Sequence, residues 1–156
     1  MLEIWPEAVH PSNKFLAYLA AAQERREQRE ADGRECPTIL VVDDEETLAN
    51  TTIEILNMAQ FCAFGAYDGQ TALELAAKLN PDILLTDVLM PGMNGVELAI
   101  AISQLLPKTQ ILLISGQAGT IDLLEKARLE GYRFELIAKP IHPAKLIERL
   151  SELGKK

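Results

Sequence analysis

Short apolar runs alternate with helix-spaced apolar stripes along most of this 156-residue chain. Thr38-Ile39-Leu40-Val41-Val42 is a β-branched run that ends in acids. Residues 46–59 then carry Leu48, Thr52, Ile55, Leu56 and Ala59 at helical spacing. Phe61 to Phe64 reads as a second strand, followed by a turn at Asp68-Gly69. Ala72, Leu75, Ala76 and Leu79 make a second helical stripe, stopped by Asn80-Pro81. Asp82 to Thr86 is a third strand, and Gly95 to Leu106 a helix closed by Pro107. Gln110 to Ile114 is a fourth strand, before a helix over 120–130 that ends at Gly131. Phe134 to Ala138 is a fifth strand. Pro143 opens a last helix with Leu146, Leu150 and Leu153 on one face.

Five strand–helix pairs of this kind predict an α/β fold. The middle strands are continuously apolar rather than alternating, which suits a parallel sheet covered by helices on both faces. In such sheets ligands bind beyond the carboxyl ends of the strands. Asp43 and Asp44 follow the first strand, Asp87 the third, Ser115 the fourth, and Lys139-Pro140 the fifth. Each has a plain structural explanation alone. Asp43 to Glu46, for example, could form a helix cap with an acidic first turn. Capping does not explain why all of them fall at the same end of successive strands.

The chemistry of that set is coherent. Three neighbouring carboxylates repel, and a hard divalent cation relieves the repulsion. Mg²⁺ takes oxygen ligands and usually binds one or two carboxylates plus phosphate. A carboxylate beside it can attack phosphorus, and phosphoryl transfer asks mainly for positioning and charge neutralisation.

The segment around Ile39-Leu40-Val41-Val42-Asp43-Asp44-Glu45 resembles the opening of two-component response-regulator receiver domains. Asp87-Val88-Leu89-Met90-Pro91-Gly92-Met93-Asn94-Gly95 resembles their phosphoacceptor segment, and Lys139-Pro140 their lysine–proline pair. The resemblance covers residues 38–153. It implies a doubly wound, flavodoxin-like sheet of five parallel strands in the order 2-1-3-4-5. Asp87 would be the phosphoacceptor, Ser115 the switch hydroxyl and Lys139 a phosphate contact, with a cis bond to Pro140. Asp43, Asp44, Asp87 and the backbone carbonyl of Leu89 would hold Mg²⁺. The donor would be a histidine kinase or histidine phosphotransfer protein, and the output an altered interaction with a downstream protein.

One position departs from the pattern. Many receivers carry Tyr or Phe three residues before the lysine, where this chain has Leu136. Phe134 shares a face with Leu136 on a strand and is a candidate substitute.

Composition narrows the readings. Fifteen basic against 23 acidic residues give a net charge of −8, divided as −2 over residues 1–36 and −6 over 37–156. That balance disfavours direct nucleic-acid binding and an anionic membrane surface. The longest apolar run, Phe15 to Ala22, is far below the roughly 20 residues of a membrane span. The N-terminus lacks the pattern of a signal peptide. Cys36 and Cys62, too few and too far apart for a zinc site or disulfide framework, read as free thiols in a reducing, cytoplasmic setting.

Residues 37–156 are thus expected to form the receiver and residues 1–36 a partly helical extension, with no output domain in this chain. Ser12 or Asn13 is placed to cap a helix running to about Ala31, ended by Asp32-Gly33. Its face of Phe15, Tyr18, Leu19 and Ala22 could dock on the receiver, mediate homodimerisation or partner binding, or belong to a disordered segment. The chain is expected to be a signalling protein and not an enzyme beyond self-catalysed phosphotransfer and autodephosphorylation. Two alternatives remain: a phosphorylation-independent interaction scaffold, and an aspartyl-phosphate hydrolase. The latter typically carries a second acid two residues after the nucleophile, where this chain has Leu89.

Overall fold

The structure, a computed structural model, describes residues 20, 23–24, 26–33, 36–116 and 119–154. By compactness the chain divides into residues 1–36 and 37–156. In the first unit residues 26–31 are helical, and Arg26 Nε meets Glu30 at 3.0 Å. The expected stop operates: Gly33 takes φ +75° and its N–H reaches the Glu30 carbonyl at 3.0 Å. Phe15, Tyr18, Leu19 and Ala22 lie outside the described residues.

The second unit runs β1 (Thr38–Val42), α1 (Glu46–Met58), β2 (Cys62–Ala66), α2 (Gly69–Leu79) and β3 (Ile83–Asp87). It continues with α3 (Gly95–Leu105), β4 (Gln110–Ser115), α4 (Thr120–Leu129), β5 (Glu135–Ala138) and α5 (Pro143–Gly154). All strand pairs are parallel, in the order β2-β1-β3-β4-β5, which is the expected doubly wound topology. Every residue of β1 and β2 is buried, as are the first four of β3, so the continuous apolar runs are strands covered on both faces. The core centres on Leu40, Phe64, Leu75, Leu84, Leu98 and Leu112.

Two local readings change. β2 continues through Gly65 to Ala66, although glycine weakens strands. Here glycine leaves room for a neighbour: a Cβ at Gly65 would lie 2.5 Å from Ile53 Cδ1, so its absence accommodates that tip of the α1 side chain. Asp68-Gly69 is not a free turn but the start of α2. Asp68 accepts the Thr71 N–H at 2.7 Å and the Thr71 hydroxyl at 2.9 Å.

The cysteine reading is corrected. Neither Cys36 nor Cys62 is a free thiol; both are disulfide-bonded. Separation along the chain misled, because the parallel crossover β1–α1–β2 returns Cys62 to the level of Thr38. There its N–H donates to the Pro37 carbonyl at 2.9 Å. The argument for a reducing compartment from free thiols therefore falls. Among the described residues no helix is long and apolar enough to cross a membrane.

Leu84 is fully buried in the central strand β3, whereas Leu129 on α4 is 77% exposed. Leu84→Ala should destabilise by about 2–5 kcal/mol. Leu129→Ala should stay within about 0.5 kcal/mol of the parent protein. Urea denaturation with matched m-values measures both.

Candidate functional site

The strand order sets β1 and β3 side by side, with Val42 opposite Thr86. The next residue on each chain, Asp43 and Asp87, therefore arrives at the same level of the rim. β4 adjoins β3, and β5 adjoins β4 with Ser115 opposite Ala138. That register brings Ser115 and the following Lys139 to the same rim. The sequence thus placed all five side chains at one end of the sheet, and the fold puts the acids and the lysine together.

Ligand oxygens of Asp43, Asp44 and Asp87 all lie within 4.8 Å of one another. Asp43 is buried; its N–H donates to the Ala66 carbonyl at 3.2 Å and its Oδ1 accepts the Glu45 N–H at 3.0 Å. Asp44 is exposed. Neither is the helix cap: that position is Glu45, which makes no side-chain capping bond. Asp87, with its side chain 15% exposed, accepts the Val88 N–H at 3.0 Å. Lys139 holds its Nζ 3.6 Å from Asp43 Oδ2 and 3.5 Å from Asp87 Oδ1. Its own N–H donates to the Ser115 carbonyl at 3.0 Å, and its bond to Pro140 is cis.

One ammonium thus faces three carboxylates. Burial pushes the Asp87 carboxyl above its ordinary range. Lys139 pulls it back, the Asp43 charge raises it further, and the Val88 N–H opposes without cancelling the rise. A hard cation suits this surplus of negative oxygen donors. Asp43, Asp44 and Asp87 could hold Mg²⁺, and the donor set is all oxygen as that ion requires.

Glycines shape the surroundings. Gly95 donates to the Val88 carbonyl at 2.7 Å, and a Cβ there would sit 2.1 Å from the Asp87 carbonyl oxygen. The loop of residues 88–94, which includes Leu89, can fold back beside Asp87 only because position 95 has no side chain. The Asn94–Glu97 capping box then starts α3. At Gly116 a Cβ would meet Lys139 Cβ at 3.2 Å, so this glycine also leaves the path of Lys139 clear. A cavity of about 560 Å³ opens beside Asp43, Asp87 and Lys139, walled by Leu48, Leu85 and Leu146.

Ser115 is buried, and its hydroxyl shares a short hydrogen bond with Thr120 Oγ1 at the start of α4. Sequence reasoning gave Thr120 no role, because nothing in a linear pattern marks a hydroxyl five residues downstream as a partner. Gly95 was legible as the end of the motif and the start of a helix, but its close approach to the Asp87 carbonyl was not. Phe134 stacks on Tyr132 at 6.0 Å and, with Leu136, packs against the cluster of Val88, Val96, Leu113 and Ala127.

A parallel five-stranded sheet with an acid cluster and a lysine at its carboxyl rim is a doubly wound α/β fold whose charged cluster lies where such sheets bind ligands. The response regulator receiver domain family matches residues 39–151, and the chain belongs to that family. It is 31% identical over 112 residues to the DNA-binding response regulator MtrA of Mycolicibacterium paratuberculosis, covering 72% of this chain and 48% of that protein. It is 35% identical over 92 residues to the autoinducer 1 sensor kinase/phosphatase LuxN of Vibrio campbellii, covering 58% of this chain and 11% of that protein. The chain thus spans about half or less of these curated relatives. Among solved structures, a two-component transcriptional regulator from Clostridium phytofermentans matches with a TM-score of 0.63 at 32% identity, over 76% of this chain and 92% of that one. The receiver domain of an HD domain-containing protein from Pseudomonas fluorescens matches with a TM-score of 0.71 at 27% identity, over 78% of this chain and 96% of that one.

The raised Asp87 pKa has a stability consequence. Well below the ordinary value of 3.8 the carboxyl is protonated in both folded and unfolded chains. As pH rises through the elevated folded value, the folded state must ionise a buried group, and stability falls. Asp87→Asn should therefore melt a few degrees higher than the parent protein at pH 7 without divalent ions. The gap should close as pH falls toward 4. Melting curves across that range check both statements.

Proposed function

We propose that this chain accepts a phosphoryl group on Asp87 from a phosphohistidine donor and thereby switches a protein-interaction surface in two-component signalling. The observation that carries this reading is the meeting of three carboxylates and Lys139 at one strand-end rim. An Asp87 oxygen attacks phosphorus, forming an O–P bond as the donor's N–P bond breaks and the imidazole leaves. The Val88 N–H holds one Asp87 oxygen in place. Lys139, paired to both Asp43 and Asp87, favours the ionised form of Asp87 against the effect of burial and offers its charge to the incoming phosphoryl oxygens. Ser115 donates its hydroxyl hydrogen to one of those oxygens. Asp43, Asp44, Asp87 and the Leu89 carbonyl would hold Mg²⁺, which when bound neutralises charge on the transferring group.

In this reading residues 37–156 are the receiver unit and residues 1–36 an extension. The kinase or histidine phosphotransfer partner docks at the acidic rim, and the surface of α4, β5 and α5 carries the signal to a downstream protein. The setting is cytoplasmic, and self-catalysed hydrolysis is a route by which the phosphorylated form can return to the resting one.

Incubation with acetyl phosphate and Mg²⁺, read on phosphate-affinity gels, tests the reading. The parent protein should give a retarded band, labile to alkali and to hydroxylamine as an acyl phosphate is, that Asp87→Asn abolishes. Lys139→Ala should slow its formation about 10²-fold. A band that survives Asp87→Asn would move the acceptor elsewhere. No band at all, with partner binding intact in Asp87→Asn, would favour the phosphorylation-independent scaffold.

A further inference from the structure

We infer that Thr120 is the positioning residue that couples Ser115 to the first turn of α4; the inference rests on Asp87 being the phosphoacceptor. Of the ten residues of α4, only Thr120 and Ala127 are buried. Ile121 is 69% exposed and Leu129 77%. The N-cap residue, Gly119, supplies no side-chain capping bond. Leu123 and Leu124 pack half-buried against the cluster around Val88, and Thr120 is the one fully buried residue of the first turn.

Thr120 is 1% exposed and Ser115 5%, and their hydroxyls share one short hydrogen bond. The main chain of Ser115 is fixed by the β4–β5 ladder and by the Lys139 N–H on its carbonyl. Its side chain is the part that can respond. Each hydroxyl has one hydrogen to give. Once Ser115 donates to a phosphoryl oxygen, it can only accept from Thr120. Thr120 must then turn its O–H toward Ser115 and follow it, or remain buried without a partner, which is costly. Either outcome is felt in the first turn of α4.

The position where the resemblance expects an aromatic partner cannot take this role through a polar atom. Leu136 has none, and it packs with Phe134 in the apolar cluster between the sheet and helices α3 and α4. The hydroxyl pair is the polar contact described between Ser115 and α4, beside the apolar packing of Val88 on Leu123, Leu124 and Ala127.

The test uses the full chain, labelled with ¹⁵N, with Mg²⁺ and beryllofluoride. In the parent protein, amide shifts should change at Val88 and Lys139 and also over residues 120–127. Thr120→Ser should behave like the parent. Thr120→Val should keep the changes at Val88 and Lys139 while those over 120–127 fall by about half or more, the signature of lost coupling rather than lost binding. Thr120→Ala repeats the measurement should the valine variant fail to fold. Undiminished changes over 120–127 in the valine or alanine variant overturn the inference alone. Absence of any change at Val88 and Lys139 in the parent overturns the Asp87 reading, and the inference with it.

Discussion

Like charges crowded at the rim of a rigid sheet are the constraint on which the rest of this structure depends. Asp43, Asp44 and Asp87 are brought within 4.8 Å, with Lys139 their partial counterweight. Carboxylates left to themselves would separate, so the fold must hold them. It does so by making β1 and β3 neighbours with fixed register and by burying both strands. Gly95 adds a close approach to the Asp87 main chain that any Cβ would block. The apolar core and the acid cluster are thus two ends of one arrangement: burial of Leu40, Leu84 and Leu112 offsets the repulsion concentrated beyond them.

The molecule is not held equally everywhere. The sheet centre is fully buried, whereas β5 is half-exposed and α4 buries two residues of ten. A charge change at Asp87 therefore meets a stiff neighbourhood on the β1 and β3 side and a loosely seated helix beyond Ser115. Lightly anchored elements are the ones that can shift at small energetic cost. The Arg149 pairing with Glu135 ties β5 to α5, so movement along that edge would involve both elements.

Much of this was legible in the sequence because burial on both faces leaves continuous apolar runs, and because strand ends fall next to them. Asp43, Asp87, Ser115 and Lys139 could be placed on one rim from spacing alone. The Lys139–Pro140 cis bond was expected from the resemblance, not from spacing. What linear pattern could not show depended on contacts between distant segments. Gly65 looked like the end of a strand, yet it is the gap that admits Ile53. Asp68 looked like a turn, yet its carboxylate caps α2. Cys36 and Cys62 looked too far apart to oxidise, since chain separation ignores the crossover between β1 and β2. Thr120 carried no signal, because a hydroxyl pair leaves no periodicity. The apolar face of residues 15–22 stays an expectation from sequence.

The central claim is that the acid cluster is a cation site built around Asp87, and Mg²⁺-dependent melting tests it most directly. A ligand that binds only the folded state raises the melting temperature by mass action. The account predicts that the parent protein's melting temperature climbs steadily with Mg²⁺, and that Asp43→Asn combined with Asp44→Asn flattens the response. An equal climb in that double variant, or none in the parent protein, would contradict it.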